Sequence, residues 1–131
     1  MKATPEEAAV LYRLAAQDRL AFERLAADPD ISVRICCFHS QQAVEKALKA
    51  VAVLHGIVFP PTHDLVKLAA LLAPVSLDPP VPVEMLRRLN PYAVAFRYDD
   101  REIHGISRED AKQTLDALFG WADNDFTDQI S

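Results

Sequence analysis

Histidine is the side chain in this sequence best suited to chemistry near neutral pH, because its ring gains and loses a proton there. Four occur: His39, His55, His63 and His104. On a helix, His39 shares a face with Gln42, Lys46 and Lys49. Such a strip of imidazole, carboxamide and two ammonium groups could line a polar pocket and hold a phosphate. The plainer reading satisfies His39 within the core, as for most histidines on apolar helices. His63 stands next to Asp64. The two either form a polar pair beside a ligand or cap and orient a following helix. Asp18 interrupts an apolar stripe. It either pairs with a basic group on a neighbouring helix or supports a polar site. His55 precedes Gly56 and suits a helix C-terminus. Cys36 and Cys37 are the only cysteines. As neighbours in an apolar stretch they cannot staple a fold, and they read as small buried hydrophobes. No C-x-x-C or Cys/His zinc spacing occurs, so neither a metal nor another cofactor is expected.

The elements that would carry these residues are helical. Thr4-Pro5-Glu6-Glu7 has the N-cap, first-turn proline and capping-box Glu of a helix start. That helix runs to about Ala27, with Leu11, Leu14, Phe22 and Leu25 facing inward. Asp28-Pro29-Asp30 breaks it. A second helix runs from about Ser32 to Leu54 and stops at Gly56. Its first half is apolar nearly all round, so it is central, or central and shared with a partner chain. Ser40, Ala43, Ala47 and Ala50 form a strip that another helix can approach closely. Thr62 or Asp64 caps a short third helix with Leu65, Leu68, Ala69 and Leu72 inside. The four prolines from Pro74 to Pro82 mark extended loop. A fourth helix starts near Val83, with Met85, Leu86, Leu89, Ala93 and Phe96 inside, and Asn90-Pro91 should break or kink it. After a charged connector, Ser107 caps a last helix that packs through Ala111, Leu115, Leu118, Phe119, Ala122 and Phe126. Trp121 lies off that stripe, either facing a partner or closing the core edge. No segment alternates like a half-buried strand. These patterns predict one all-α domain over residues 1–131, an antiparallel, up-and-down bundle of four to five helices.

Composition narrows the function classes. Half of the 131 residues are apolar and a quarter charged, the balance of a soluble globular protein. No apolar run is long enough to cross a bilayer, and the acidic start is no secretory signal, so a cytoplasmic protein without membrane contact is expected. Fourteen basic against nineteen acidic residues leave a net charge of −5. That excludes a general nucleic-acid coat, which needs a basic surface.

Three segments together resemble the HEPN family (higher eukaryote and prokaryote nucleotide-binding domain). They are Cys37-Phe38-His39-Ser40-Gln41-Gln42-Ala43-Val44-Glu45-Lys46-Ala47-Leu48-Lys49-Ala50, then Thr62-His63-Asp64-Leu65, then Phe96-Arg97-Tyr98 with an acidic connector and a capped last helix. Order, spacing and helix count match along nearly the whole chain. The resemblance implies a bundle that dimerises through its central helices, hence a homodimer. It implies two activities. Many members are metal-independent ribonucleases, often toxins of toxin–antitoxin or phage-defence systems, with an Arg, four to six residues and a His. Small stand-alone members often act as the nucleotide- or RNA-binding partner of a minimal nucleotidyltransferase and frequently lack that His.

This chain sits between the two. Arg97 is followed by six residues and then His104, within the ribonuclease pattern. Metal-free RNA cleavage needs a proton removed from the ribose 2′-hydroxyl and one given to the leaving oxygen, which suits His104. Arg97 would clamp the phosphate and stabilise the developing charge. Arg97 and Tyr98 equally fit the Arg-Tyr pair of the non-catalytic members. There Tyr98 would join His39, Gln42, Lys46, Lys49 and His63 in nucleotide or phosphate binding, with Asp18 and Asp64 as supporting polar groups. A helical scaffold that has lost any such role is the third reading. The charge distribution allows one small anion site. Residues 31–73 carry four basic against two acidic residues and three of the four histidines, whereas residues 105–131 carry two against six. Such a site would draw on Lys46, Lys49, Arg97 and nearby histidines.

Overall fold

The computed structural model describes residues 4–94 and 105–130. Among these there are five α-helices and no strand. Helix α1 spans Pro5–Ala26, α2 Val33–Leu54, α3 Leu65–Leu72, α4 Val83–Leu89 and α5 Arg108–Ile130. The fold is the all-α bundle that the sequence patterns predict.

Local chemistry sets the helix ends. Thr4 Oγ1 accepts from the Glu7 N–H, and the Glu7 carboxylate accepts from the Thr4 N–H at 2.6 Å, closing the capping box. Ser32 Oγ caps α2 and Ser107 Oγ caps α5. Gly56 takes φ +70°, and the Ile57 N–H returns to the Ala52 carbonyl at 2.8 Å. This left-handed stop turns the chain out of α2, and glycine adopts it without the strain of a Cβ. Of the two candidate caps for α3, Asp64 fills the position, accepting from the Val66 and Lys67 N–H groups. Beyond α4, Pro91 cannot extend an α-helical hydrogen-bond ladder, and Asn90–Val94 tightens into a 3₁₀ turn.

Helix α2 is central. It lies along α1 and also touches α3, α4, α5 and the 3₁₀ turn. Ala8 and Ala15 on α1, with Ser40, Ala43, Ala47 and Ala50 on α2, are fully buried. Small side chains there let the two axes close. That narrow contact corrects one expectation: Leu14 is 49 % exposed, and α1 buries Ala8, Ala15 and Phe22. Leu14 precedes Ala15 by one residue, about 100° around the helix, which swings it off the contact. The inward stripe of α5 is as expected, with Ala111, Leu115, Leu118, Phe119, Ala122 and Phe126 all buried. Trp121 is half-buried against the core edge.

Two anchors were not read from the sequence. The Arg108 guanidinium, on the first turn of α5, donates to the carbonyls of Ala26, Asp28 and Ile31, satisfying the end of α1 and the turn after it. Tyr92 is completely buried, and its hydroxyl accepts from the Ile106 N–H at 3.2 Å. Gly105 sits beside that ring, where a Cβ would come within 2.6 Å of Tyr92 and 2.7 Å of the Arg88 carbonyl.

Candidate functional site

The polar side of α2 is organised by two carboxylates. The first is Asp18, from α1. Its Oδ2 accepts from Lys46 Nζ at 2.5 Å, and its Oδ1 lies 3.1 Å from His39 Nδ1. Asp18 therefore pairs with a basic group on the neighbouring helix, the simpler of its two sequence readings. His39 and Lys46 stand seven residues apart on α2, two turns, so one carboxylate reaches both.

The second is Glu45, on α2 itself and only 5 % exposed. Its Oε1 accepts from Gln41 Nε2 at 3.0 Å and lies 2.9 Å from His63 Nδ1. Its Oε2 accepts from Lys49 Nζ at 3.0 Å. Gln41 also donates to the His63 carbonyl at 3.3 Å, and Gln42 donates to Gln41 Oε1 at 2.7 Å. Burial pushes the Glu45 carboxyl up. The hydrogen bonds from Gln41, His63 and Lys49 and the Lys49 charge outweigh it, holding the group below the ordinary carboxylate range. An ionised carboxylate only accepts, so His63 Nδ1 carries the proton in this contact. The Lys49 ammonium also lies 5.7 Å from the centroid of the Phe59 ring.

Sequence reasoning overlooked Glu45 and Gln41. The available signal was their spacing. Gln41, Glu45 and Lys49 follow at i, i+4 and i+8, and a carboxylate on the buried arc of a central helix needs partners. Of the residues singled out in the sequence, the structure gathers His39, Lys46 and Asp18 in one cluster and His63 and Lys49 in the other, with Gln42 joining them through Gln41. Both lysine ammonium groups are thus paired with a carboxylate. Asp64 does not join them: it caps α3 and accepts from Asn90 Nδ2 at 2.9 Å. His63 is not a capping group, because its ring turns to Glu45. His55 closes α2, and its Nε2 bonds Asp125 of α5 at 2.8 Å. Arg97, Tyr98 and His104 lie outside the described residues.

Cys36 and Cys37 are fully buried. Burial pushes the Cys36 thiol up and the Cys37 thiol up to about 12, so neither offers a reactive thiolate near neutral pH. Among the described residues, no group of three or more His, Cys, Asp or Glu side chains could hold a metal ion.

A bundle centred on a helix carrying His39, Gln42, Glu45 and Lys49, followed by a capped Thr62-His63-Asp64 turn, is the setting in which the comparison with known families is decisive. The HEPN domain model matches residues 9–118 of the 131-residue chain. The chain belongs to the HEPN family. No curated protein and no solved structure matches it. Membership of the HEPN family supports a nucleotide- or RNA-related function in general. Among the described residues, no helix is long and apolar enough to cross a membrane.

Proposed function

We propose that this HEPN protein is a nucleotide- or RNA-binding subunit that works, as a homodimer, with a minimal nucleotidyltransferase in a toxin–antitoxin or defence-type system. The observation that carries this reading is the pairing of both α2 lysines with Asp18 and Glu45. Each lysine is held in place by its carboxylate, so this face presents fixed donors that suit a phosphate-bearing ligand through charge-assisted hydrogen bonds. The exposed Val10, Leu14 and Ile35 support a second copy on this side of the molecule. Leu14 lies one turn before Asp18 and Ile35 one turn before His39, so apolar surface flanks the first cluster.

The direct test is co-purification with the product of the neighbouring gene, together with calorimetric titration of ATP and of a short oligoribonucleotide. Recovery of a nucleotidyltransferase and saturable binding are expected; a chain that binds neither ligand and recovers no such enzyme refutes the proposal. A metal-independent ribonuclease toxin is the second reading, favoured by the six-residue spacing from Arg97 to His104. It requires RNA cleavage in EDTA that His104→Ala abolishes.

A further inference from the structure

A groove of about 250 Å³ runs between the proline-rich loop before α4 and the first half of α5. No residue of the two α2 clusters lines it. One wall is apolar and includes Val81, Pro82 and Met85. The other is the α5 face that repeats at i, i+3, i+4 and i+7: Asp110, Gln113, Thr114 and Ala117. The space is there because Thr114 and Ala117 are short. Thr114 is 4 % exposed, and its hydroxyl donates to the Asp110 carbonyl at 2.8 Å, so it forms a floor without a free donor. Size sets the first limit on an occupant. Pockets for drug-sized ligands start near about 300 Å³, so this groove is too small for a nucleotide and stands apart from the function proposed above.

Charge sets the second limit. Arg108 and Lys112, the two basic residues of α5, are engaged elsewhere: Arg108 holds the carbonyls after α1, and Lys112 donates to Asp116 at 2.8 Å. Arg87 and Arg88, the basic residues of α4, both pair with Glu84. Among the described residues, no cation pairs with the Asp110 carboxylate and Gln113 makes no side-chain hydrogen bond. The α5 dipole favours an acid in its first turn, but it does not account for the apolar wall opposite. We propose that this groove binds a linear aliphatic amine, its ammonium on the Asp110 carboxylate and its carbon chain against Val81, Pro82 and Met85. An ammonium donates three hydrogen bonds and accepts none, which suits a carboxylate with the Gln113 carboxamide oxygen beside it. A hydrated metal ion gains nothing from the apolar wall, and one carboxylate is too few ligands for it. A carboxylic acid would meet like charge. A lysine side chain from a docked protein is the less suitable occupant, because Pro80 and Pro82 on the loop side offer its backbone no N–H.

The test is an amide NMR titration of the full chain at pH 7 with pentylamine, pentan-1-ol and pentanoate. Pentylamine should move the Val81, Met85, Gln113 and Ala117 amides saturably and raise the thermal transition with its concentration. Pentan-1-ol should bind about tenfold more weakly, because it lacks the charged hydrogen bond, and pentanoate not at all. Lengthening butylamine to pentylamine should tighten binding by up to about fourfold, the worth of one buried methylene. Asp110→Asn should weaken pentylamine about tenfold and leave pentan-1-ol unchanged. Ala117 is exposed, so Ala117→Phe can fill the groove with the thermal transition retained, and it should abolish binding of both. Equal binding of amine and alcohol overturns the ammonium site at Asp110. Shifts scattered over other acidic residues, or persisting in Ala117→Phe, overturn the groove. Tighter binding of Nα-acetyl-lysine methylamide than of pentylamine assigns the groove to a partner's lysine and overturns the free amine. The absence of a saturable shift with any probe overturns the proposal as a whole.

Discussion

Asp18 and Glu45 each serve one histidine and one lysine on the same side of α2, yet they sit in different surroundings. Asp18 reaches across from α1, and its partners His39 and Lys46 are partly covered with it, so all three share one half-buried environment. Glu45 is deeper than either Lys49 or His63 and bonds a fully buried carboxamide, Gln41, while its histidine stands in solvent. The first arrangement joins two helices. The second aims one ring outward from a buried acid. Depth of the acid relative to its histidine separates a closed tie from an open ring.

The largest expected effect comes from removing the deeper acid. Glu45→Ala leaves Gln41 and Lys49 without their partner in a buried setting and should cost about 3 kcal/mol, as when one member of a buried pair is deleted. Urea denaturation checks this. Asp18→Ala should cost about 1 kcal/mol, because Lys46 is 30 % exposed and water can replace the lost contact. Comparable losses in the two variants would erase the distinction between the clusters. Acid sharpens it further. The folded-state pKa of Glu45 is lowered, so its contribution is complete above the ordinary carboxylate value near 4.3 and is lost as pH falls through the lower folded value. Stability of Glu45→Gln should therefore fall less steeply than that of wild type below about pH 4.3. Thermal transitions recorded from pH 6 to pH 3 would show it, and parallel curves would remove Glu45 from the acid response. The smallest effects separate the two rings: His39→Ala should cost about 1 kcal/mol and His63→Ala under about 0.5 kcal/mol, measured by the same denaturation. A larger loss for His63 would make its ring a structural tie.

Much of the scaffold was legible because it depends on local chemistry. The capping box at Thr4, the glycine stop at Gly56, the cap at Ser107 and the break at Pro91 each act over a few residues, and all stand where the spacing placed them. The core of α5 followed from period alone. Leu14 was misplaced because periodicity yields an apolar arc and not its centre. Here the axial approach of α1 and α2 selects the narrow alanine side and leaves a leucine outside. Tyr92 was missed because the helical phase is lost after Pro91, so counting from α4 did not reach it. Arg108 was missed because its acceptors are backbone carbonyls some 80 residues earlier, which no side-chain pattern marks.

The residues of the candidate site divide in the same way. Sequence by itself determined that α2 would carry His39, Gln42, Lys46 and Lys49 on one polar strip, because 3.6 residues per turn fix their common face. It also determined the helical class, the net acidity and the family to which the chain belongs. Only the tertiary structure decided what those groups face. Asp18 arrives from α1 and His63 from the turn before α3, so one helix contact closes the first cluster and one turn completes the second, whose Glu45–Lys49 pair is local to α2. Which imidazole is covered and which is open was settled there too. Burial is a property of the packed elements around a residue, and no spacing along the chain encodes it.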